Sequence, residues 1–311
     1  MATRAFGLFG TQPEYFVLSE ETVLSFFDNA QSIVEISISD PLYPTEWKAL
    51  PDAPPVVYAR GNIALLQGRK FTVVGARRTP APALKLGARI CKELSNVVTV
   101  VTGTADGGDG AAIEGALSGG GKLICVLAGG FSSLPQASLQ LLGEVAKKGL
   151  LLSPYPYETA TRAFSYEYRN KLLAALGEGV LVLGAAEKSG ALITAKYAKA
   201  QGKPIFALPY FPGSAAGEGC NKLLKAGGVL TETVQDITEK LGIKTEEKTR
   251  AVTLTADEEK MLTALKALAE GHASELASAA GVPPFKVKAV LSALEVKGLV
   301  TALGGNRYAP V

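Results

Sequence analysis

The sequence predicts an α/β fold, with a doubly wound, mostly parallel sheet, helices on both faces and a small C-terminal winged-helix domain. Two patterns carry this prediction. Between residues 70 and 208, short apolar runs alternate with helical stretches, which is typical of parallel strands joined by right-handed crossovers. After residue 252, three helical patterns precede a short hairpin around Gly304 and Gly305, which is the order of a winged helix.

The predicted strands are short, continuously apolar runs, as expected for strands buried on both faces. They cover residues 71–74, 97–101, 123–127, 150–152, 180–183 and 205–208. The helical stretches between them cover residues 83–95, 111–117, 138–148, 166–176 and 193–201. Together these elements predict one domain over residues 61–242.

Two segments flank this domain. Residues 1–60 are predicted to form a short N-terminal segment, with an amphipathic helix at 20–29 followed by an extended, proline-rich stretch that contains Trp47, the single tryptophan. Residues 243–252 are charged and lack apolar periodicity, so they are predicted to be a linker.

The predicted winged-helix domain, residues 253–311, has a balanced charge. It carries six Lys and Arg residues against six Asp and Glu residues. Domains that bind duplex DNA by themselves usually show a strongly basic face. A protein-contact or accessory role is therefore predicted for this domain.

The composition excludes several classes of protein. The chain has 311 residues, 47% of them hydrophobic, and a net charge of +3, which is too mild to indicate a polyanion binder by itself. No apolar run approaches the roughly 18 residues that span a bilayer, and no signal peptide is evident, so a soluble, cytoplasmic protein without membrane contact is expected. Three scattered cysteines and one histidine argue against a disulfide framework, a metal site and a Ser/His triad, and no cofactor is predicted.

The stretch 169–195 is the predicted centre of the functional site. Its apolar strand is followed by a polar loop and then by Ser189 and Gly190 at the start of a helix. In an open α/β sheet, such a strand tip and helix start form a ligand crevice, where free N–H groups favour an anion. Ser189 can cap the helix or bind a phosphate. Three polar side chains on the preceding helix suit the same anion: Arg169, Asn170 and Lys171. An ordinary strand–helix turn with solvated charges is the alternative.

Two further loops should join this crevice, because parallel strands end at the same edge of the sheet. In the loop after the first strand, Gly75 lets the backbone approach a ligand, and Arg77 and Arg78 can hold phosphates. The loop over residues 102–110, which includes Gly103, matches neither the dinucleotide fingerprint nor a Walker motif. The alternative is that these glycines only allow tight turns.

Aromatic and basic residues are interleaved just before the central stretch. The cluster consists of Tyr155, Tyr157, Arg162, Phe164, Tyr166, Tyr168, Arg169 and Lys171. Aromatic faces beside cations are what proteins use to bind single-stranded nucleic acid. The same composition is common in subunit interfaces, and packing in the core is a third interpretation.

Nine short blocks, taken in order, resemble the DNA-processing protein A (DprA/Smf) family across roughly residues 40–240. The blocks are Tyr43-Pro44, PPVVYARGN (54–62), VVGARRT (73–79), TGTADGGD (102–109), KLICVLAGG (122–130), SPYP (153–156), RNKLLAAL (169–176), SGALITA (189–195) and GCNKLL (219–224). Each block alone is a weak signal, but nine in the family's order are specific.

That resemblance implies an extended Rossmann-like domain that binds single-stranded DNA as a homodimer. It also implies transfer of the strand to the RecA recombinase during natural transformation in competence, with no established catalytic activity. Thr194 matches the family's S-G-x-L-I-T block, and Asn221 and Lys222 lie in its G-x-N block. The predicted DNA- or phosphate-binding residues, from the loops and the blocks together, are Gly75, Arg77, Arg78, Gly103, Arg169, Asn170, Lys171, Ser189, Gly190, Thr194, Asn221 and Lys222.

The chain departs from the family pattern at several positions. Asp106 stands where the family has Arg, Gly108 where it has Ile, Ile113 where it has His, and Gly184 where it has an acidic residue. An acidic side chain in a loop that faces phosphates should weaken DNA binding. The resemblance therefore implies a divergent member whose site binds DNA more weakly or takes another ligand.

Two other classes of function stay open. The first is a nucleotide-like ligand sensor or a phosphoribohydrolase-like enzyme on the same core. The P-G-G-x-G-T-x-x-E block of those enzymes is missing, and Gly184 removes a carboxylate near the crevice. The second is a scaffold whose winged helix and aromatic cluster contact only proteins. Single-stranded DNA binding ranks first among the three.

Overall fold

The computed structural model describes residues 33–244 and 254–310, which belong to two compact units divided between Lys244 and Thr245. The helix predicted at residues 20–29 and most of the predicted linker lie outside the described residues. Within the described ranges, no helix is long and apolar enough to cross a membrane.

A nine-stranded, mostly parallel sheet organises the first unit. Its strands are β1 Val34–Ser37, β2 Val56–Gly61, β3 Lys70–Val74, β4 Thr99–Thr102, β5 Leu123–Val126, β6 Leu150–Ser153, β7 Val180–Val182, β8 Ile205–Ala207 and β9 Val229–Leu230. Their spatial order is β1-β2-β6-β5-β4-β3-β7-β8-β9. From β3 the chain adds strands in one direction to β6, and then returns to add β7, β8 and β9 on the other side of β3. The antiparallel pairs of this sheet are β1–β2 and β2–β6. The predicted doubly wound sheet is confirmed.

Helices pack on both faces of this sheet. They are α1 Thr45–Lys48, α2 Ala81–Leu94, α3 Gly108–Ser118, α4 Leu139–Lys148, α5 Ala163–Leu176, α6 Gly190–Ala200, α7 Glu218–Lys225 and α8 Val234–Lys240, with 3₁₀ turns at Ile63–Leu66, Phe131–Ser133 and Gln136–Ser138. Successive strand residues enter two separate cores, as Val73 and Val74 do in β3. The core beside α2, α3, α4 and α8 is distinct from the core beside α1, α5, α6 and α7. Burial on both faces explains the continuously apolar strands.

The described part of the predicted N-terminal segment belongs to the sheet. Strand β1 pairs with β2, and β2 pairs with β6. Trp47 is fully buried, and its indole Nε1 donates a hydrogen bond to the Leu172 carbonyl in α5 at 2.9 Å. The Tyr43 hydroxyl donates to the Pro54 carbonyl at 2.6 Å. This segment therefore contributes two strands and a buried tryptophan to the first unit.

The second unit contains three helices and a three-stranded antiparallel sheet. Its elements are α9 Ala256–Leu268, β10 Gly271–His272, α10 Ala273–Ala280, α11 Pro284–Val296, β11 Val300–Gly304 and β12 Arg307–Pro310. Strand β12 lies between β10 and β11, and each helix buries a leucine in a common core: Leu265, Leu276 and Leu291. Three helices followed by a hairpin are the arrangement of a winged helix.

Candidate functional site

A cavity of about 300 Å³ lies at the carboxyl edge of the first unit's sheet, where β3 and β7 are neighbours. The chain continues from these two strands into α2 and α6, which pack against different cores on opposite faces. The strand order reverses at this point, and such a switch point opens a crevice in doubly wound sheets. The cavity is lined by Val74, Gly75, Ala76, Arg77, Ala105, Asp109, Tyr166, Arg169, Asn170, Ser189, Gly190, Ala191 and Thr194.

Two glycine backbones pack directly against each other at the base of the cavity. A Cβ atom on Gly75 would lie 2.7 Å from the Gly108 Cα atom, and a Cβ atom on Gly108 would lie 2.3 Å from the Gly75 Cα atom. The Gly108 N–H also donates to the Ala76 carbonyl at 3.2 Å. This contact gives a physical reason for Gly108, one of the departures from the family pattern. An Ile at this position would force the loop after β3 away from α3.

Two of the residues that line the cavity form a buried pair of opposite charges. Asp109 and Arg169 are each 4% exposed. Asp109 accepts hydrogen bonds from the N–H groups of Gly75 and Ala105, both at 3.3 Å. Arg169 donates from Nη1 to the Val126 carbonyl and from Nε to Asn170 Oδ1, both at 3.1 Å. These bonds fix both charged groups in place.

Gly103 allows these charges to come close. A Cβ atom on Gly103 would lie 2.2 Å from Arg169 Nη1 and 2.3 Å from Asp109 Oδ2, so no larger residue fits between them without a shift. Burial raises the pKa of the Asp109 carboxyl, and the charge of Arg169 opposes that rise. Burial likewise lowers the pKa of the Arg169 guanidinium, and Asp109 opposes that fall. Gly103, predicted as a ligand-contacting glycine, thus lies next to both charges and is not a cavity-lining residue.

An aromatic ring and two guanidinium groups form one side of the cavity. The Arg77 and Arg169 Cζ atoms lie 6.0 Å and 5.9 Å from the centroid of the Tyr166 ring. Arg77 is exposed, whereas Arg169 is buried, so the ring lies near one solvated and one desolvated cation. Both distances suit cation–π attraction. Phe164, two residues before Tyr166, is 65% exposed.

The other aromatic residues of the predicted cluster have separate places. Tyr155 and Tyr168 pack edge to face with ring centroids 6.2 Å apart, and the Tyr168 hydroxyl donates to the Asp52 carbonyl at 2.7 Å. Tyr157 is partly buried against one core of the sheet. Of the three interpretations of the cluster, core packing thus applies to some rings, while Tyr166 lines the cavity.

The start of α6 forms the facing side of the cavity. Ser189 is the N-cap, and its hydroxyl accepts a hydrogen bond from the Ala191 N–H at 3.3 Å. Asn170 Nδ2 donates to the Gly190 carbonyl at 3.3 Å and so ties α5 to this helix start. Thr194, one turn further on, is fully buried, and its Oγ1 has no hydrogen-bond partner among the described residues. A buried hydroxyl without a partner is costly, so this group favours a polar ligand or water in the cavity.

Four more of the predicted site residues do not line the cavity. Arg78 is exposed beside Arg77, and Lys171 forms an ion pair with Asp52. The Asn221 side chain accepts from the Tyr210 N–H at 3.1 Å and donates to the Tyr210 carbonyl at 2.9 Å, which holds the loop after β8. The fourth, Lys222, is ion-paired with Glu187.

Asp109 and Tyr166 line the cavity but were missing from the predicted site residues. Asp109 matches the last residue of the family's second loop, so the resemblance contained the signal for it. Tyr166 was named in the aromatic cluster, but its spacing could not separate it from the rings that pack elsewhere.

The remaining departures from the family pattern have different surroundings. Asp106 is exposed next to Ala105, and Ile113 is 1% exposed in the core. At Gly184, a Cβ atom would lie 2.6 Å from the Thr79 hydroxyl oxygen and 2.7 Å from the Tyr210 hydroxyl oxygen, so an acidic side chain there would require these two side chains to shift. In the described part of the chain, no group of three or more His, Cys, Asp and Glu side chains could hold a metal ion.

Comparisons with known proteins agree with the nine blocks. The family model for DNA recombination-mediator protein A matches residues 35–242. The DNA processing protein DprA of Bacillus subtilis is 36% identical over 214 residues, which are 68% of this chain and 72% of that protein.

Two solved structures resemble the first unit. DNA processing protein A of Streptococcus pneumoniae has a TM-score of 0.65 at 32% identity and covers 70% of this chain and 76% of its own. The protein from Helicobacter pylori, described for its single-stranded DNA binding mode, has a TM-score of 0.60 at 28% identity and covers 67% of this chain and 95% of its own. With its matching blocks, its sheet order and a family model that spans more than half of its length, the chain belongs to the DNA recombination-mediator protein A (DprA/Smf) family.

Proposed function

We propose that this protein binds single-stranded DNA at the β3–β7 cavity and acts without catalysing a reaction. The observation that carries the proposal is the placement of Arg77, Tyr166 and Arg169 beside the start of α6. Cations and helix N–H groups attract a phosphate, while an exposed aromatic face stacks on a base. The Helicobacter pylori relative, whose structure is described for its single-stranded DNA binding mode, supports the same assignment.

The phosphate is expected to lie between Arg77 and the N-terminus of α6. Arg77 is exposed and forms no ion pair among the described residues; besides the Tyr166 ring, it interacts electrostatically with Asp109 and Arg169, so it can reach a phosphate without breaking an ion pair. The unpartnered Thr194 hydroxyl adds a donor within the same cavity. Arg169 is held by the Val126 carbonyl and Asn170, so its role is to supply a fixed positive charge.

The bases are expected to follow the start of α5. Tyr166 is 38% exposed and Phe164 is 65% exposed, and both lie in the first turn of this helix. Each base stacked on such a ring contributes about 1–3 kcal/mol. An extended strand that passes the cavity can use both rings, whereas a free mononucleotide can use one.

The partners of this function follow the family resemblance. We expect the chain to act as a homodimer in the cytoplasm and to transfer bound DNA to the RecA recombinase during transformation. The test is whether the purified protein speeds the assembly of RecA on single-stranded DNA that is already covered by a single-strand-binding protein. A protein that binds the DNA tightly but leaves RecA assembly unchanged would contradict this transfer role.

A nucleotide-like ligand is the second candidate, favoured by one observation. The Asp109 carboxyl is buried, lines the cavity and has a raised pKa, and such groups often mark a ligand site or an active site. Calorimetric titration separates the candidates. Single-stranded DNA binding predicts that affinity grows with oligonucleotide length from one to several nucleotides, while a nucleotide sensor saturates with the mononucleotide.

Arg77→Ala is the first test of the DNA site. Loss of one phosphate contact should weaken the binding of oligothymidylate and flatten the slope of log K against log[salt] by about 0.7. Fluorescence anisotropy at several salt concentrations measures both quantities. Lys199→Ala is the matched control, because Lys199 is an exposed cation in the last turn of α6, about 15 Å from the helix start. Equal slopes for the two variants would remove Arg77 from the site.

A further inference from the structure

Helix α11 of the second unit presents an apolar stripe to solvent. Its outward residues, Phe285, Ala289, Ser292 and Val296, are spaced by four, three and four positions and therefore lie on one side of the helix. Phe285 is 82% exposed and Val296 is 89% exposed. The opposite side packs into the unit's core through Val287, Leu291 and Leu294. The helix thus has two apolar sides, and only one of them is covered.

The outward stripe does not suit duplex DNA. This helix corresponds to the one that winged-helix and helix-turn-helix domains place in the major groove, where polar and cationic side chains read bases and phosphates. Here Ser292 is the stripe's single polar residue. Lys286, beside the stripe, is ion-paired with Asp257 at 3.3 Å. Large exposed apolar residues in a row instead indicate contact with another apolar surface.

The stripe is complementary to itself in an antiparallel arrangement. Phe285 lies four residues before Ala289, and Val296 lies four residues after Ser292. The spacing is therefore the same from either end of the stripe. A twofold axis through the middle of the stripe therefore places each Phe285 against Val296 of a second copy, and each Ala289 against its Ser292. Large side chains meet at the two ends, and small ones in the middle let the helices approach. Such self-complementarity is what a twofold interface requires.

The charges beside the stripe fit the same arrangement. Lys288 and Glu295 are seven residues apart, so they lie on the same flank of the helix. Both are exposed, and neither forms an ion pair with a residue that the structure describes. In an antiparallel helix pair each flank faces the same flank of the other helix, so Lys288 faces Glu295 of the second copy with an axial offset of about 3 Å. The twofold axis makes this pair occur twice.

We propose that the outward stripe of α11 is a self-association surface, which pairs antiparallel with α11 of a second copy of this chain. The proposal does not depend on DNA binding at the β3–β7 cavity. Two helices of 13 residues, each about 20 Å long, form an interface below the usual size of a stable one. The association is therefore weak by itself and gains strength where two chains are already held together elsewhere.

Disulfide cross-linking of the full-length protein tests the pairing directly. The three native cysteines, Cys91, Cys125 and Cys220, are fully buried, so an introduced surface cysteine is the accessible thiol among the described residues. A mixture of the Ala289→Cys and Ser292→Cys proteins should form a disulfide-linked dimer under mild oxidation, at least tenfold faster than the Ala279→Cys protein. Ala279 is an exposed alanine of α10 and serves as the control. A mixture that cross-links no faster than this control would overturn the proposal.

Charge exchange tests the antiparallel direction. Lys288→Glu and Glu295→Lys, each in the cysteine background, should slow cross-linking between like chains and restore it when the two variants are mixed. Phe285→Glu should reduce it at least tenfold. Cross-linking that is unaffected by Phe285→Glu, together with a loss of duplex DNA binding in that variant, would assign the stripe to DNA and overturn the proposal. Equal melting temperatures confirm that these exposed substitutions leave the fold intact.

Discussion

Asp106 and Asp109 are only three residues apart, but one is exposed and the other is buried. Asp106 lies in the loop after β4, and Asp109 lies in the first turn of α3. Asp109 is buried and holds two backbone N–H groups, so it belongs to the framework of the cavity. Asp106 is exposed and forms no hydrogen bond or ion pair within the part of the chain that the structure describes. Nothing in the fold therefore requires Asp106. We therefore expect its effect to be electrostatic and to act on a ligand bound near this loop.

Asp106→Arg should tighten single-stranded DNA binding. A carboxylate about 6 Å from a phosphate repels it by roughly 0.7 kcal/mol in water, and a cation at the same place attracts it by a similar amount. The change is thus about tenfold in affinity, with a steeper salt dependence. Anisotropy titrations at several salt concentrations measure it.

Glu93→Arg is the control for this charge change, because Glu93 lies near the end of α2, about 20 Å along the helix from its start. Equal gains in the two variants would show a general charge effect. Weaker binding by Asp106→Arg, with an unchanged melting temperature, would contradict a phosphate near this loop.

If the cavity binds DNA as proposed, we expect Asp109 to make that binding dependent on pH. Burial raises its pKa, so the carboxyl takes up a proton at a higher pH than an ordinary aspartic acid. The ionised form repels a phosphate and the protonated form does not, so affinity should rise as the pH falls through this raised pKa. For each unit by which bound DNA raises the pKa of Asp109, the protonated protein binds DNA more strongly than the ionised protein by about 1.4 kcal/mol. Oligothymidylate is the ligand for the titration, because its phosphodiesters remain charged throughout.

Asp109→Asn is the matching variant. It should remove this pH dependence and resemble the wild-type protein at low pH. A variant that keeps the full pH dependence of the wild type would show that another group titrates. Its melting temperature must be measured as well, because the amide replaces one of the acceptors for the Gly75 and Ala105 N–H groups.

At the scale of elements, the loops that follow β3 and β4 and the starts of α3, α5 and α6 form the cavity. Glycines set how closely these elements approach. Gly75 and Gly108 let the β3 loop touch α3, and Gly103 lets the β4 loop pass between Arg169 and Asp109. The glycine-rich loops therefore position other residues and are not merely tight turns.

Gly103→Ala should destabilise the first unit by about 1–3 kcal/mol, as overpacking of a filled site usually does. The added methyl group meets Arg169 Nη1 at 2.2 Å and must displace it, so DNA affinity should fall as well. Gly190→Ala is the matched control, since a Cβ atom there meets nothing within 4 Å. The control should unfold at the same or a higher temperature, because alanine restricts the unfolded chain. Equal destabilisation of both variants would be inconsistent with this packing.

At the scale of the whole molecule, the two compact units carry different kinds of surface. The first unit has the cavity, with cations, rings and a helix start in one place. The second has balanced charge and an apolar stripe on α11. From this division we expect DNA binding by the first unit and, as proposed above, an association surface on the second.

Deletion of residues 247–311 should therefore leave most of the affinity for a short oligonucleotide. A short ligand occupies one site, so the loss of an association surface has little effect on its binding. A decrease greater than about tenfold, or roughly 1.4 kcal/mol, would place part of the DNA site in the second unit. Thermal unfolding of the truncated chain shows whether the first unit remains folded, which the comparison requires.

The sequence by itself determined the class of fold and the family. Strands buried on both faces must be apolar at every position, so their runs are visible without a structure, and the blocks at their ends revealed the DprA/Smf resemblance. Tertiary structure alone decided which polar residues meet. Arg169 and Lys171 are two positions apart, yet one is buried in the lining of the cavity and the other is ion-paired with Asp52, 119 residues away. Successive residues of a helix point in different directions, and the partner of each depends on which distant segment packs there.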